Sequence, residues 1–351
     1  MTACASHLTP GSSAVDRAPS TPPYLRLDFW GLIHALTFAA VWFWSPVLTF
    51  IPTASALMMT ARPLSRAWKG SRGLPLRPMV AWGCAAVTLA LMGQISQFQE
   101  LAQPLTSGRP VAGHFAYLSS LATIAALIST LGARKPGHGA WSILMGLLVL
   151  ILLIPWMEDF GLSGRANPLS RLRLDAPWSI FYGILVVAGV TNYLFTRYAG
   201  ASILIGAGLL VEYVALLNPS WPPPRRAVLW SLGPLLGAWG ILRAECEARS
   251  RSEPAAGLAA VWLWFRDHWG VVWALRVRER FNRAAEVANW PVRLAWNGVT
   301  DPRGGSPGPI PPEAVRTLEM LLRRFAPVDR LAVARGASAA SPCPDPDAAG
   351  E

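Results

Sequence analysis

The chain is short of charge. Only 15% of its 351 residues are Asp, Glu, Lys or Arg, against ~25% in a soluble domain. This excludes an ordinary soluble composition, because the missing charge coincides with long apolar runs. Lysine is almost absent: Lys69 and Lys135 stand alone among 31 basic residues. That bias points to a GC-rich genome and carries no functional information. Cysteine is sparse and scattered. Cys4, Cys84, Cys246 and Cys343 form no Cys-x-x-Cys pair and have no histidine at ligand spacing. This argues against a disulfide framework and against a zinc site, so no metal and no cofactor is expected. Walker, Gly-x-Gly-x-x-Gly, His-Glu-x-x-His and Gly-x-Ser-x-Gly motifs are also missing, which argues against an ATPase, a dehydrogenase or a typical hydrolase. The net charge of +11 comes without a nucleic-acid-binding motif, and no nucleic-acid partner is expected.

What is present is apolar and aromatic. Hydrophobic residues make up 52% of the chain, and 17 Trp stand against 6 Tyr. Trp favours the headgroup level of a bilayer, where its ring is in apolar surroundings and its N–H meets water. The stretch 140–157, Ala-Trp-Ser-Ile-Leu-Met-Gly-Leu-Leu-Val-Leu-Ile-Leu-Leu-Ile-Pro-Trp-Met, has no charge. As a helix rising 1.5 Å per residue it nearly crosses a ~30 Å hydrocarbon core. The lipid bilayer is therefore the first partner.

Residues 1–28 are rich in Ser, Thr, Pro and Ala and lack the basic start and apolar core of a signal peptide. A disordered tail is expected there. The transmembrane bundle is expected over 29–242, with about seven spans near 29–51, 79–98, 114–131, 140–157, 178–196, 200–217 and 227–242. The last is short and contains Pro234. The segment 61–78 carries Arg62, Arg66, Lys69, Arg72 and Arg77 and no acid, which places it in the cytoplasm by the positive-inside rule. Seven crossings put Arg134, Lys135, Arg197 and the C-terminal region on the same side and the N-terminus outside. Arg225 and Arg226 then fall outside and oppose the rule. The resulting class is an all-α polytopic protein of a bacterial inner membrane.

A charged linker is expected over 243–257, and an amphipathic helical region over 258–331. One stripe runs Trp262, Phe265, Trp269, Trp273, Val277 and Phe281 in steps of three or four, with Arg266, Arg276, Arg280 and Arg283 opposite. The first reading is a helix lying in the membrane interface; the second is a helix packed into a small cytoplasmic domain. A short extended piece ends at Asn297-Gly298. A helix over 313–325 follows Pro311-Pro312, and a disordered tail is expected over 332–351.

Polar residues inside spans are functional suspects, because placing them there is costly. Glu212 is the sharpest, enclosed by Leu-Leu-Val before it and Tyr-Val-Ala-Leu-Leu after. His34, His114 and Gln94 fall at the same outer depth in the seven-span reading, so these four form a candidate intramembrane polar site. The alternatives for each are a structural hydrogen bond or a place at the interface. Gly233-Pro-Leu-Leu-Gly237 matches the Gly-x-x-x-Gly spacing of close helix approach. Two functional readings follow. The leading one is a non-enzymatic membrane subunit or scaffold that docks lipid or a protein partner through 258–325, with Trp262, Phe265, Trp269, Trp273, Arg266 and Arg276 as the contact residues. The alternative is a small-solute or proton-coupled transporter built on Glu212.

Overall fold

The computed structural model describes residues 49–102, 111–132, 138–158, 174–218, 220–249, 257–302, 308–327 and 331. His34, both expected tails and most of the first expected span lie outside them. The described chain is almost entirely helical. In order, α1 is Phe50–Met59, α2 Ala61–Gly70, α3 Arg77–Ala102, α4 Ala112–Ser129, α5 His138–Met157, α6 Ala176–Thr191, α7 Ala199–Leu217, α8 Pro223–Arg249 and α9 Gly257–Val287. A two-stranded hairpin follows, β1 Arg293–Ala295 and β2 Gly298–Thr300, and then α10, Pro312–Leu322. The strands are antiparallel, with Ala295 opposite Gly298 across a turn at Trp296 and Asn297; the expected single extended piece ending at Asn297-Gly298 is thus one arm and the turn of a hairpin, and Gly298 begins its second strand.

Four described helices are long and apolar enough to cross a membrane: Arg77–Gln99, Ala112–Gly132, Ala199–Leu217 and Arg225–Arg249. Two more apolar helices, Ile143–Met157 and Ala176–Thr191, are shorter. Four of the expected spans thus reach crossing length. The span expected to be weakest, at 227–242, is among them, despite Pro234 inside its helix. Apolar side chains face outward in stripes spaced for one helix face: Ile143, Leu147 and Leu150 on α5, and Ile180, Ile184 and Val187 on α6 are all at least half exposed. Lipid suits such a face; water does not. α4 is the innermost of the long helices.

Two expected boundaries move. The 61–78 segment contains a helix, α2, whose Pro63 is buried while Arg62, Arg66 and Lys69 are exposed. The expected linker from residue 243 is helical as far as Arg249. Its alternating charges lie four apart and pair, Arg243 with Glu247 at 2.8 Å and Arg249 with Glu245. Arg66 of α2 also reaches Glu245. On α8 two arginines stack on indoles, Arg225 over Trp221 and Arg226 over Trp230.

The aromatic stripe of α9 does not meet lipid. Trp262, Phe265 and Trp269 are fully buried and Trp273 is 8% exposed. They form the core of a C-terminal unit with Leu294, Leu318, Leu322 and Phe325. The Phe325 ring lies 4.9 Å from that of Phe265 and 5.1 Å from that of Trp273. The stripe needs an apolar cover, and α10 with the hairpin provides it. The first reading of this helix is therefore corrected to the second, a helix packed into a small domain. Arg266, expected on the polar face, is also buried; Arg276 remains exposed and stacks on Trp273 at 5.1 Å.

The C-terminal unit is fastened to one end of the bundle. α9 breaks at Gly270, with φ +76° and ψ −174°, a conformation essentially restricted to glycine. The break turns two amides onto Asn192, after α6. Val271 N–H donates to the Asn192 carbonyl at 2.8 Å and Val272 N–H to its Oδ1 at 3.2 Å. A Cβ at position 270 would lie 2.6 Å from the Asn192 carbonyl oxygen. Gly270→Ala should therefore cost about 2–4 kcal/mol through a strained dihedral and overlap together. Hydrogen exchange will read it: the Val271 and Val272 amides lose protection while those in the middle of α7 keep theirs.

Candidate functional site: a cavity at Glu212

The site starts from small residues. Ala201, Ile205, Gly208 and Glu212 recur in steps of three or four, so they share one face of α7. That face meets Gly233, Gly237 and Gly240 of α8. A methyl at Gly208 would lie 2.5 Å from the Gly233 carbonyl oxygen. The two backbones touch there, and no larger side chain fits. The Gly233-x-x-x-Gly237 match thus lies at a helix contact, as its spacing predicted.

Glu212 sits one turn above Gly208 and depends on the same absence. Its Cδ lies 3.1 Å from where a Gly233 Cβ would be, so the carboxyl stem occupies the space a side chain would take. Glu212 is 4% exposed. No described residue hydrogen-bonds its carboxyl or forms an ion pair with it.

The carboxyl lines a cavity of about 700 Å³. Its walls come from α1, α2, α3, α4, α7 and α8, largely with Ala, Gly, Leu and Val side chains. Along α7 it touches residues from Tyr198 to Glu212, about 20 Å of helix at 1.5 Å per residue. Trp264, Asp267 and His268 of α9 border its other end, beside Arg66 and Glu245.

The remaining suspects do not join Glu212 there. Gln94 is 2% exposed and outside the cavity wall. Its Nε2 donates to the Trp230 carbonyl at 3.0 Å, and its Oε1 accepts from Ser231 Oγ at 3.0 Å. Gln97 donates to the Ala227 carbonyl and Ser231 Oγ, and Thr53 to the Ser231 carbonyl. This cluster ties α1, α3 and α8 together and uses up the amide of Gln94. His114, buried in the first turn of α4, is also absent from the wall. Of the expected four-residue polar site, Gln94 and His114 do not line the cavity with Glu212, and His34 lies outside the described residues. Glu212 stands apart, because hydrogen bonding holds Gln94 at the α3–α8 contact and His114 lies elsewhere.

Sequence reasoning missed the charges at the α9 end of the cavity. Asp267 is fully buried and accepts from Arg266 Nε at 3.0 Å and Nη2 at 2.7 Å. Arg197, from the α6–α7 turn, lies 3.5 Å from its other oxygen. Arg266 also donates to the Trp296 carbonyl at 2.6 Å. The adjacent Arg266-Asp267 pair was legible as charge, but its burial was not. Among the described residues, no group of three or more His, Cys, Asp or Glu is placed to hold a metal ion.

Comparison with known proteins adds nothing to this geometry: no family, no curated protein and no solved structure gives a significant match to the chain.

The buried pair makes its own prediction. Asp267→Ala leaves Arg266 buried without its counter-charge, which costs about 3–5 kcal/mol. Thermal unfolding should show the loss, and Arg266→Met combined with Asp267→Leu should recover most of it.

Proposed function

We propose that this is a non-enzymatic, multi-pass protein of a bacterial inner membrane that binds and carries a small solute at Glu212. The carrying observation is Glu212 itself: only 4% exposed, without a partner among the described residues, and on the wall of a cavity of about 700 Å³. Ligand sites are typically concavities of ~300–1,000 Å³ with few polar groups. An intramembrane carboxyl facing such a space marks a pathway more often than a support. The topology proposed with it has seven crossings. It puts the N-terminus outside, and the C-terminal unit in the cytoplasm beside the basic α2. The reading of 258–325 as a docking element is weaker, because its aromatic stripe is used internally. A subunit or scaffold role keeps one supporting observation: Val287 and Met320 stand exposed on the C-terminal unit.

Native mass spectrometry of the protein, extracted gently from its own membrane, separates the two. The expected result is a chain holding one small molecule, lost in Glu212→Gln at unchanged thermal stability. A stoichiometric protein partner that leaves when 258–325 is removed, with no small ligand, would replace the carrier reading with the scaffold.

A further inference from the structure

The cavity wall carries enough chemistry to define its ligand, given that the small-solute reading holds. We infer that the cavity takes an apolar organic cation, with its charge against Glu212 and its body along the wall between α3, α7 and α8.

The argument starts from unequal charge along the cavity. Its wall has three acidic residues: Glu245, Asp267 and Glu212. Glu245 is paired with Arg66 and Arg249, and Asp267 with Arg266. Glu212 has no such partner among the described residues. The other ionisable groups of the wall are Arg66, Tyr193, Tyr198 and His268. Tyr198 and Tyr193 belong to the start of α7 and the turn before it, His268 to α9, and Arg66 to α2. All lie toward the C-terminal unit, away from Glu212. Among the described residues, the Glu212 end of the cavity therefore contains one acid and no base.

A carboxylate removed from water is costly unless it takes up a proton or a cation meets it. A ligand cation supplies that partner. An anion would find only like charge beside Glu212 among the described residues, and a neutral polar molecule would meet the Ser119, Thr123 and Ser202 hydroxyls with their protons already given to backbone carbonyls. The rest of the wall decides the ligand's body. Ala86, Ala90, Leu209 and Ala238 offer contact area and no donor or acceptor side chain. A volume of about 700 Å³ holds one drug-sized molecule. A hydrophobic amine or a quaternary onium ion meets these requirements together.

The test uses probes of like shape and opposite charge. Tetraphenylphosphonium, tetraphenylborate and neutral triphenylmethane are titrated calorimetrically into the full-length protein in detergent. Each is repeated on Glu212→Gln, which keeps the side-chain shape, and on Ala244→Trp, which fills the cavity from α8. The expected result is one phosphonium bound per chain, at least tenfold tighter than the borate. Glu212→Gln should erase that preference while triphenylmethane binding persists, and Ala244→Trp should weaken every probe. Borate binding as tightly as phosphonium, or a preference that survives Glu212→Gln, overturns the cation inference. If triphenylmethane binds the cavity without any charge preference, the small-solute reading stands and the cation class falls. If none of the three probes binds, both fall.

Discussion

The contact between the Gly270 break and Asn192 organises one whole end of this protein. Helix ends leave carbonyls without intrahelical partners. Here the Trp273 indole N–H donates to the carbonyls of Thr130 and Leu131 at the end of α4. Asn192 Nδ2 donates to Thr130 Oγ1 at 3.3 Å, while its carbonyl and Oδ1 receive the two amides freed by the break in α9. Trp296 adds a bond to the Phe195 carbonyl. The ends of α4 and α6 are thus closed by one segment of a later helix. The same segment sends Trp262, Phe265 and Trp269 the other way, into the C-terminal core. A helix without the break could not serve both sides, because its amides at 271 and 272 would be spent on its own backbone.

The cavity follows from a second constraint, the approach of α7 to α8. Helices meeting through ordinary side chains keep their axes ~8–10 Å apart. In lipid no hydrophobic effect drives helices together, so close packing of small residues carries the association. Gly208 against Gly233 is such a contact. It draws α8 toward α7, while α3 lines the cavity with Gly83, Ala86 and Ala90 beside the larger Met79, Val80 and Val87. Small residues that fit a partner make contact; small residues that face none leave space. Glu212 lies where the tight contact gives way to that space, with its stem on the first and its carboxyl on the second.

Much of this was legible from the order of residues. Uninterrupted apolar runs located the four long helices, because burying or lipid-solvating such a run is a local property of composition. Pro311-Pro312 announced α10; Asn297-Gly298 marked the end of an extended piece but not the hairpin that it forms with β2. Glu212 was visible because a carboxyl in an apolar run has no cheap explanation. What a face packs against was not visible. The α9 stripe has the same periodicity whether it meets lipid or protein, and only the presence of α10 and the hairpin decides. Gly270 lies in Trp-Gly-Val-Val-Trp and reads like any helix glycine; its role depends on Asn192, 78 positions earlier. Gly208 was the nearest to legible. It precedes Glu212 by four, and a glycine and an acid on one face of a span mark a close neighbour and a gap.

The two constraints meet at the α9 end of the cavity. Trp264, Asp267 and His268 border the cavity from α9, shortly before the break at Gly270. The break that fastens the C-terminal unit to Asn192 therefore also sets where these groups stand. Asp267 has Arg266 and Arg197 beside it, whereas no described residue pairs with Glu212. Coulomb attraction grows as water is excluded, so under the ligand proposal above the two acids differ: Asp267 already has its counter-charge, and a cationic ligand would supply one to Glu212, where the α7–α8 contact gives way to space.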